Sequence, residues 1–93
     1  MKLLAATLIG TWHCYLAGGG HAPSDLHTIK LMARGKMTST TSEGDRNTTY
    51  AYANGKLTQI FEGEPLTEKL VWKGANAFDL IGSDSTEHCT RVH

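Results

Sequence analysis

Residues 47–62 read NTTYAYANGKLTQIFE. Two runs rich in Thr, Tyr and apolar residues flank Asn54-Gly55. An Asn-Gly pair suits the two positive φ angles of a type I′ turn, whose twist matches that of a β-hairpin. A two-residue loop pairs Ala53 with Lys56. Tyr52 then faces Leu57, Tyr50 faces Gln59 and Thr48 faces Phe61. Because side chains alternate along a strand, Tyr50, Tyr52, Leu57 and Phe61 share one face, the expected interior. Thr49, Ala51, Thr58 and Ile60 form the other.

The same pattern extends in both directions. Strands are expected over 10–16, 27–33, 36–42, 47–53, 56–62, 66–73, 77–81 and 86–92. Twelve threonines, with Tyr, Val and Ile, suit half-buried pleated strands. Turn signals such as Arg34-Gly35, Glu43-Gly44-Asp45, Gly63-Glu64-Pro65 and Ser83-Asp84-Ser85 recur about every 8–12 residues. Alternation groups Ile29, Leu31 and Ala33, then Leu66, Leu70 and Trp72, then Phe78 and Leu80. Short connections favour antiparallel neighbours. Eight short strands therefore predict an all-β antiparallel meander, closed into a small barrel that leaves no exposed edge. An open half-barrel that dimerises is the alternative, so the chain is expected as a monomer or a homodimer.

The 93 residues make one domain, 1–93, with no internal repeat or linker. Nine Lys plus Arg balance nine Asp plus Glu. Scattered basic residues at zero net charge argue against a nucleic-acid binder, which carries a basic stripe. No run of 18 apolar residues exists to form a membrane-spanning helix. A domain this small is marginal without a staple, and Cys14 and Cys89 near opposite ends offer one. A bridge between them implies an oxidising compartment, hence a periplasmic or secreted protein. If Met1 is the native start of a leaderless chain, the thiols stay reduced and the protein is cytoplasmic.

Residues 1–10 (MKLLAATLIG) have one Lys and then an apolar run, as a leader peptide does. A small-residue cleavage site is weakly offered only by 18–22, and cleavage there would remove Cys14. The other reading is a short N-terminal helical cap over one end of the barrel, with Leu4 and Leu8 on one face.

Gly10-Thr11-Trp12, opening the first strand after a short apolar segment, resembles the G-x-W motif of lipocalins. Cys89-Thr90-Arg91 is similar to the end of small bacterial lipocalin-like domains. The resemblance implies that Trp12 sits at the closed base of the barrel with Arg91 packed over it, and that the barrel binds a small apolar or amphipathic ligand. Lipocalins are longer and carry a C-terminal helix, and no helical period follows residue 10 here.

The residues support a compatible register. If the first and last strands pair antiparallel with Cys14 opposite Cys89, then Trp12 lies opposite Arg91. Direct cross-strand partners touch, and a guanidinium over an indole contributes roughly 0.5–2 kcal/mol. Glu87 then faces Leu16 on the inner side, tolerable only near a solvated mouth or with a partner. His13 and His88 fall on the outer face.

Other candidates carry less. His13-Cys14 and His88-Cys89 contain zinc-ligand types, but within each pair alternation points His and Cys to opposite faces. His21, Asp25 and His27 gather in the 17–26 connection and just beyond it, and offer a metal site or an acid/base pair. Their spacing matches no compact motif, and no G-x-S-x-G, P-loop or H-E-x-x-H occurs. The expectation is a non-enzymatic binding protein with no cofactor, metal or catalytic residue. Leu31, Tyr50, Tyr52, Phe61 and Trp72 are its expected ligand-lining residues, and Trp12, Arg91, Cys14 and Cys89 its structural ones. A secreted module that inhibits a protease or lysozyme through loops 17–26 and 43–46 is the alternative.

Overall fold

The computed structural model describes residues 8–20 and 25–92. Eight strands, β1 (Gly10–Leu16), β2 (His27–Leu31), β3 (Lys36–Thr41), β4 (Gly44–Ala53), β5 (Lys56–Phe61), β6 (Glu64–Gly74), β7 (Ala77–Ile81) and β8 (Thr86–Val92), form a closed antiparallel barrel in sequential order. Closure by β1 against β8 excludes the open half-barrel. The helical cap expected over residues 1–10 falls largely outside the described residues. Of that segment, Leu8 is fully buried, and its carbonyl accepts a hydrogen bond from Trp12 Nε1 at 2.9 Å.

The turns explain why a meander forms. Asn54 and Gly55 have φ of 55° and 73°, as a type I′ hairpin demands. Glu62-Gly63 and Arg34-Gly35 repeat this pair of positive angles. Residues 33–35 form a tight turn in which Arg34 has φ of 65°, so β2 ends at Leu31 and Ala33 is exposed rather than grouped with Ile29 and Leu31. β6 begins at Glu64, before Pro65, where a break was expected. Pro65 pairs with Ile60 on one side, while the pairing of β6 with β7 begins only at Lys69–Ile81. That unpaired flank tolerates a residue without an N–H.

The seam has the expected register: Trp12–Arg91, Cys14–Cys89 and Leu16–Glu87 are partners, and the cysteines are disulfide-bonded. The Arg91 guanidinium lies 4.3 Å from the Trp12 ring centroid. Its Nη1 donates to the Ile9 carbonyl at 3.1 Å, and its Nε to Asn76 Oδ1 at 3.0 Å. A Cβ on Gly10 would come within 2.8 Å of that Nη1, and Gly10 has φ of 146°. The G-x-W triplet thus has a local reason: the glycine leaves room for the arginine that covers the tryptophan.

The interior is divided along its length. Leu8, Trp12, Ile29, Leu31, Met37, Leu57, Leu70, Phe78 and Leu80 pack with the disulfide into one buried apolar cluster. Trp12 stands 4.5 Å from Phe78 and 6.1 Å from Trp72, between ring centroids. Offset and edge-on contacts at such distances add to area burial. The other half of the interior is polar.

Candidate functional site at the barrel mouth

Inward positions toward the end that carries the β3–β4, β5–β6 and β7–β8 connections hold His27, Ser39, Gln59, Glu68 and Glu87. Ser39, Gln59 and Glu68 are buried. His27 Nδ1 meets Glu87 Oε2 at 3.1 Å, and its Nε2 meets Ser39 Oγ at 2.7 Å. A carboxylate only accepts, so Nδ1 carries the ring proton; in the neutral ring Nε2 accepts the Ser39 hydroxyl. Gln59 Nε2 donates to Glu68 Oε1 at 3.0 Å. Burial raises the Glu68 pKa above the ordinary carboxylate value, and the charge of Glu87 raises it further. His27 and the Gln59 hydrogen bond oppose both effects. Gln59 Oε1 is buried with no hydrogen-bond partner among the described residues.

Above this cluster opens a cavity of about 310 Å³, walled by His27, Ser39, Thr41, Asp45, Arg46 and Phe61, with Glu43 and Gly44 at its rim. That volume is at the small end of ligand sites. The mouth is acidic. Asp25, Glu43, Asp45, Glu62, Glu64 and Asp84 lie in or beside its connections, with Glu68 and Glu87 inside. Arg46 is the one Lys or Arg there among the described residues, and Glu62 engages it at 3.5 Å. In or beside the base-side turns stand Arg34, Lys36, Lys56 and Lys73, with no carboxylate. A net charge of zero therefore conceals a barrel polarised from end to end.

Glu87, His27 and Ser39 have the connectivity of a nucleophile relay. An acyl-transfer site also needs donors where the oxyanion develops. Among the described residues the cavity wall carries one cation, Arg46, which Glu62 engages, and two carboxylates, Glu43 and Asp45.

The five residues expected to line a ligand site do not converge. Phe61 alone lies on the mouth cavity. Leu31 is fully buried in the apolar half. Tyr50 donates its hydroxyl to the Met32 carbonyl at 2.8 Å, and burial raises its pKa. Trp72 Nε1 donates to the Tyr52 hydroxyl at 3.4 Å, and its ring packs 5.6 Å from Phe78. Tyr50 and Tyr52 flank a separate, shallow depression of about 360 Å³ with Ile9 and Arg34. The inward turn of Glu87 follows from the seam register, and His27 is the partner it required. Ser39, Gln59 and Glu68 escaped notice, although alternation from Met37, Leu57 and Leu70 places all three inside.

The loop group His21, Asp25 and His27 is not seen whole, since His21 lies outside the described residues. His27 turns into the barrel, and Asp25 is exposed. Among the described residues no group of three His, Cys, Asp or Glu side chains is placed to hold a metal ion, and both cysteines are spent on the disulfide. No described helix is long and apolar enough to cross a membrane. Comparison with family models, characterised proteins and solved structures finds no match to this chain.

Proposed function

We propose that the protein is a non-enzymatic, lipocalin-like binding barrel that holds a small amphipathic ligand at its mouth. The division of the interior carries this reading. A packed apolar half seals the base, while the mouth keeps a cavity with a polar floor and one aromatic wall. Eight-stranded barrels leave room for side chains or one small ligand, and here the two share the length of one barrel. The role is transport or sequestration, and the disulfide suits a periplasmic or secreted setting. Native mass spectrometry of freshly purified protein tests the proposal. A co-purified mass lost on Phe61→Ala supports it; a clean apo mass counts against it.

A second reading rests on the acidic rim. Carboxylates in the mouth connections suit a basic protein partner, as for an inhibitor working through loops 17–26 and 43–46. Replacing residues 17–26 with a short linker leaves ligand binding intact on the first reading and abolishes inhibition on the second.

A further inference from the structure

We propose that Ser39 is a nucleophile that takes the acyl group of a small carboxylic ester bound in the mouth, with His27 as its base, Glu87 positioning His27, and Arg46 beside the oxygen that becomes negative. The proposal goes beyond the binding reading above, because it makes capture of the ligand covalent, one group per chain.

Two observations carry it. The first is the order of contacts together with their place. Nδ1 of His27 donates to Glu87 Oε2 at 3.1 Å, and Nε2 accepts the Ser39 hydroxyl at 2.7 Å. An imidazole held in this tautomer takes the proton of a serine that attacks. Ser39 and His27 both wall the cavity of about 310 Å³, so an electrophile there meets nucleophile and base together. Gln59 and Glu68 pair with each other away from that wall and take no part. The second observation is the register. Arg46 is the direct cross-strand partner of Ser39 and lies on the same wall, and direct partners are close enough to interact. Its contact with Glu62 spans 3.5 Å between side chains 54% and 78% exposed, and such surface pairs exchange at little cost. The guanidinium can therefore turn its donors to a developing oxyanion. Of the two carboxylates on the wall, Asp45 accepts the Thr40 hydroxyl at 2.9 Å, and Glu43 stands in the exposed β3–β4 turn.

The step balances without a redox partner. Ser39 Oγ bonds to the ester carbonyl carbon as its proton passes to His27 Nε2. The carbonyl oxygen takes the displaced electron pair. When that pair returns, the bond from carbon to the leaving oxygen breaks, and His27 gives its proton to that oxygen. An alcohol departs and an acyl-serine remains, with Phe61 as the apolar wall beside it.

The test is covalent labelling of the whole protein with diisopropyl fluorophosphate, whose phosphorus undergoes the same attack and expels fluoride. Intact mass after denaturation counts the groups, and peptide mapping places them. The native protein is expected to gain one group, on Ser39, and the urea-unfolded chain none. p-Nitrophenyl acetate should place one acetyl group on the same serine. Ser39→Ala is expected to abolish both. His27→Gln should slow labelling about a hundredfold or more, and Arg46→Ala about tenfold. Glu87→Gln should lower the maximal rate at least about tenfold and leave the half-saturating concentration unchanged, a split that loss of structure would not give. Near-ultraviolet dichroism verifies that each variant is folded, and the comparison of native with unfolded wild type needs no variant. A native protein labelled no faster than the unfolded one, or labelled elsewhere than Ser39, overturns the proposal. A phosphorylated Ser39 that p-nitrophenyl acetate leaves untouched overturns the ester class. If Ser39 stays unmodified while a ligand co-purifies in the native mass spectrum, the covalent step fails and the binding reading stands.

Discussion

His27 and Glu87, 60 residues apart in sequence, meet at 3.1 Å inside the mouth of the barrel. The seam register turns Glu87 inward, and β2 brings His27 to it. The ring's other nitrogen holds Ser39. One imidazole thus ties the first half of the chain to the last, at the floor of the cavity.

Removing either partner strands the other. Both side chains keep about a fifth of their exposure, 23% for His27 and 18% for Glu87, so water screens part of the loss. His27→Ala and Glu87→Ala are each expected to destabilise the fold by about 1–2 kcal/mol. A double-mutant cycle read by urea unfolding should show a coupling of about 0.5–1.5 kcal/mol. Additive effects would mean that the pair contributes nothing as a pair.

Glu68 sets a pH dependence. Its pKa in the folded protein is raised from 4.5, first by burial and then by Glu87, with His27 and Gln59 opposing. Between the unfolded and folded values the native state binds more protons, so its stability falls as pH rises. The contribution is complete below 4.5 and is lost as pH passes the folded value. Glu68→Gln removes the titration. The difference in unfolding midpoint, variant minus wild type, should grow with pH through that window and then level off. A difference independent of pH would contradict the burial of this carboxyl.

The base depends on the fit of Gly10, Trp12 and Arg91. Gly10→Ala adds a methyl where Arg91 Nη1 stands, on a backbone with positive φ. It is expected to destabilise by about 1–3 kcal/mol. Arg91→Lys keeps the charge but loses the planar stack and the fork of donors, so it should recover little of the loss seen in Arg91→Ala. Chemical denaturation of the three variants measures this, and full rescue by lysine would reduce the contact to charge alone.

The disulfide closes a loop with a sequence separation of 75. The chain-entropy relation gives about 4–5 kcal/mol for such a loop. Replacing both cysteines with serine should lower stability by up to that amount, while Trp12, Arg91 and the paired strands keep the seam closed. Denaturant midpoints give the first quantity, and hydrogen exchange of the β1 and β8 amides gives the second.

Architecture and seam were legible in the sequence because each rests on a local rule. Asn54-Gly55 fixes one hairpin register, and alternation from the two cysteines fixes the other. β1, β7 and β8 have the expected bounds. β4 and β6 run longer because Gly44 and Pro65 mark turns in isolation, yet pair with neighbours in the sheet. The mouth was harder to see. Apolar residues signal an interior, whereas Ser39, Gln59 and Glu68 read as solvent-facing until a barrel closes around them. The aromatic residues drew the ligand site toward Tyr50, Tyr52 and Trp72, whose polar atoms the structure occupies with one another and with the Met32 carbonyl.

A ligand is expected at the mouth of the barrel and not at its base. Amide and side-chain resonances compared between the protein with its co-purified ligand and the ligand-stripped protein decide this most directly. Perturbations should gather at His27, Ser39, Thr41, Asp45, Gln59 and Phe61, leaving the base unmoved. Perturbations confined to Leu31, Ala33, Tyr50 and Tyr52 would place the ligand at the other end and contradict it.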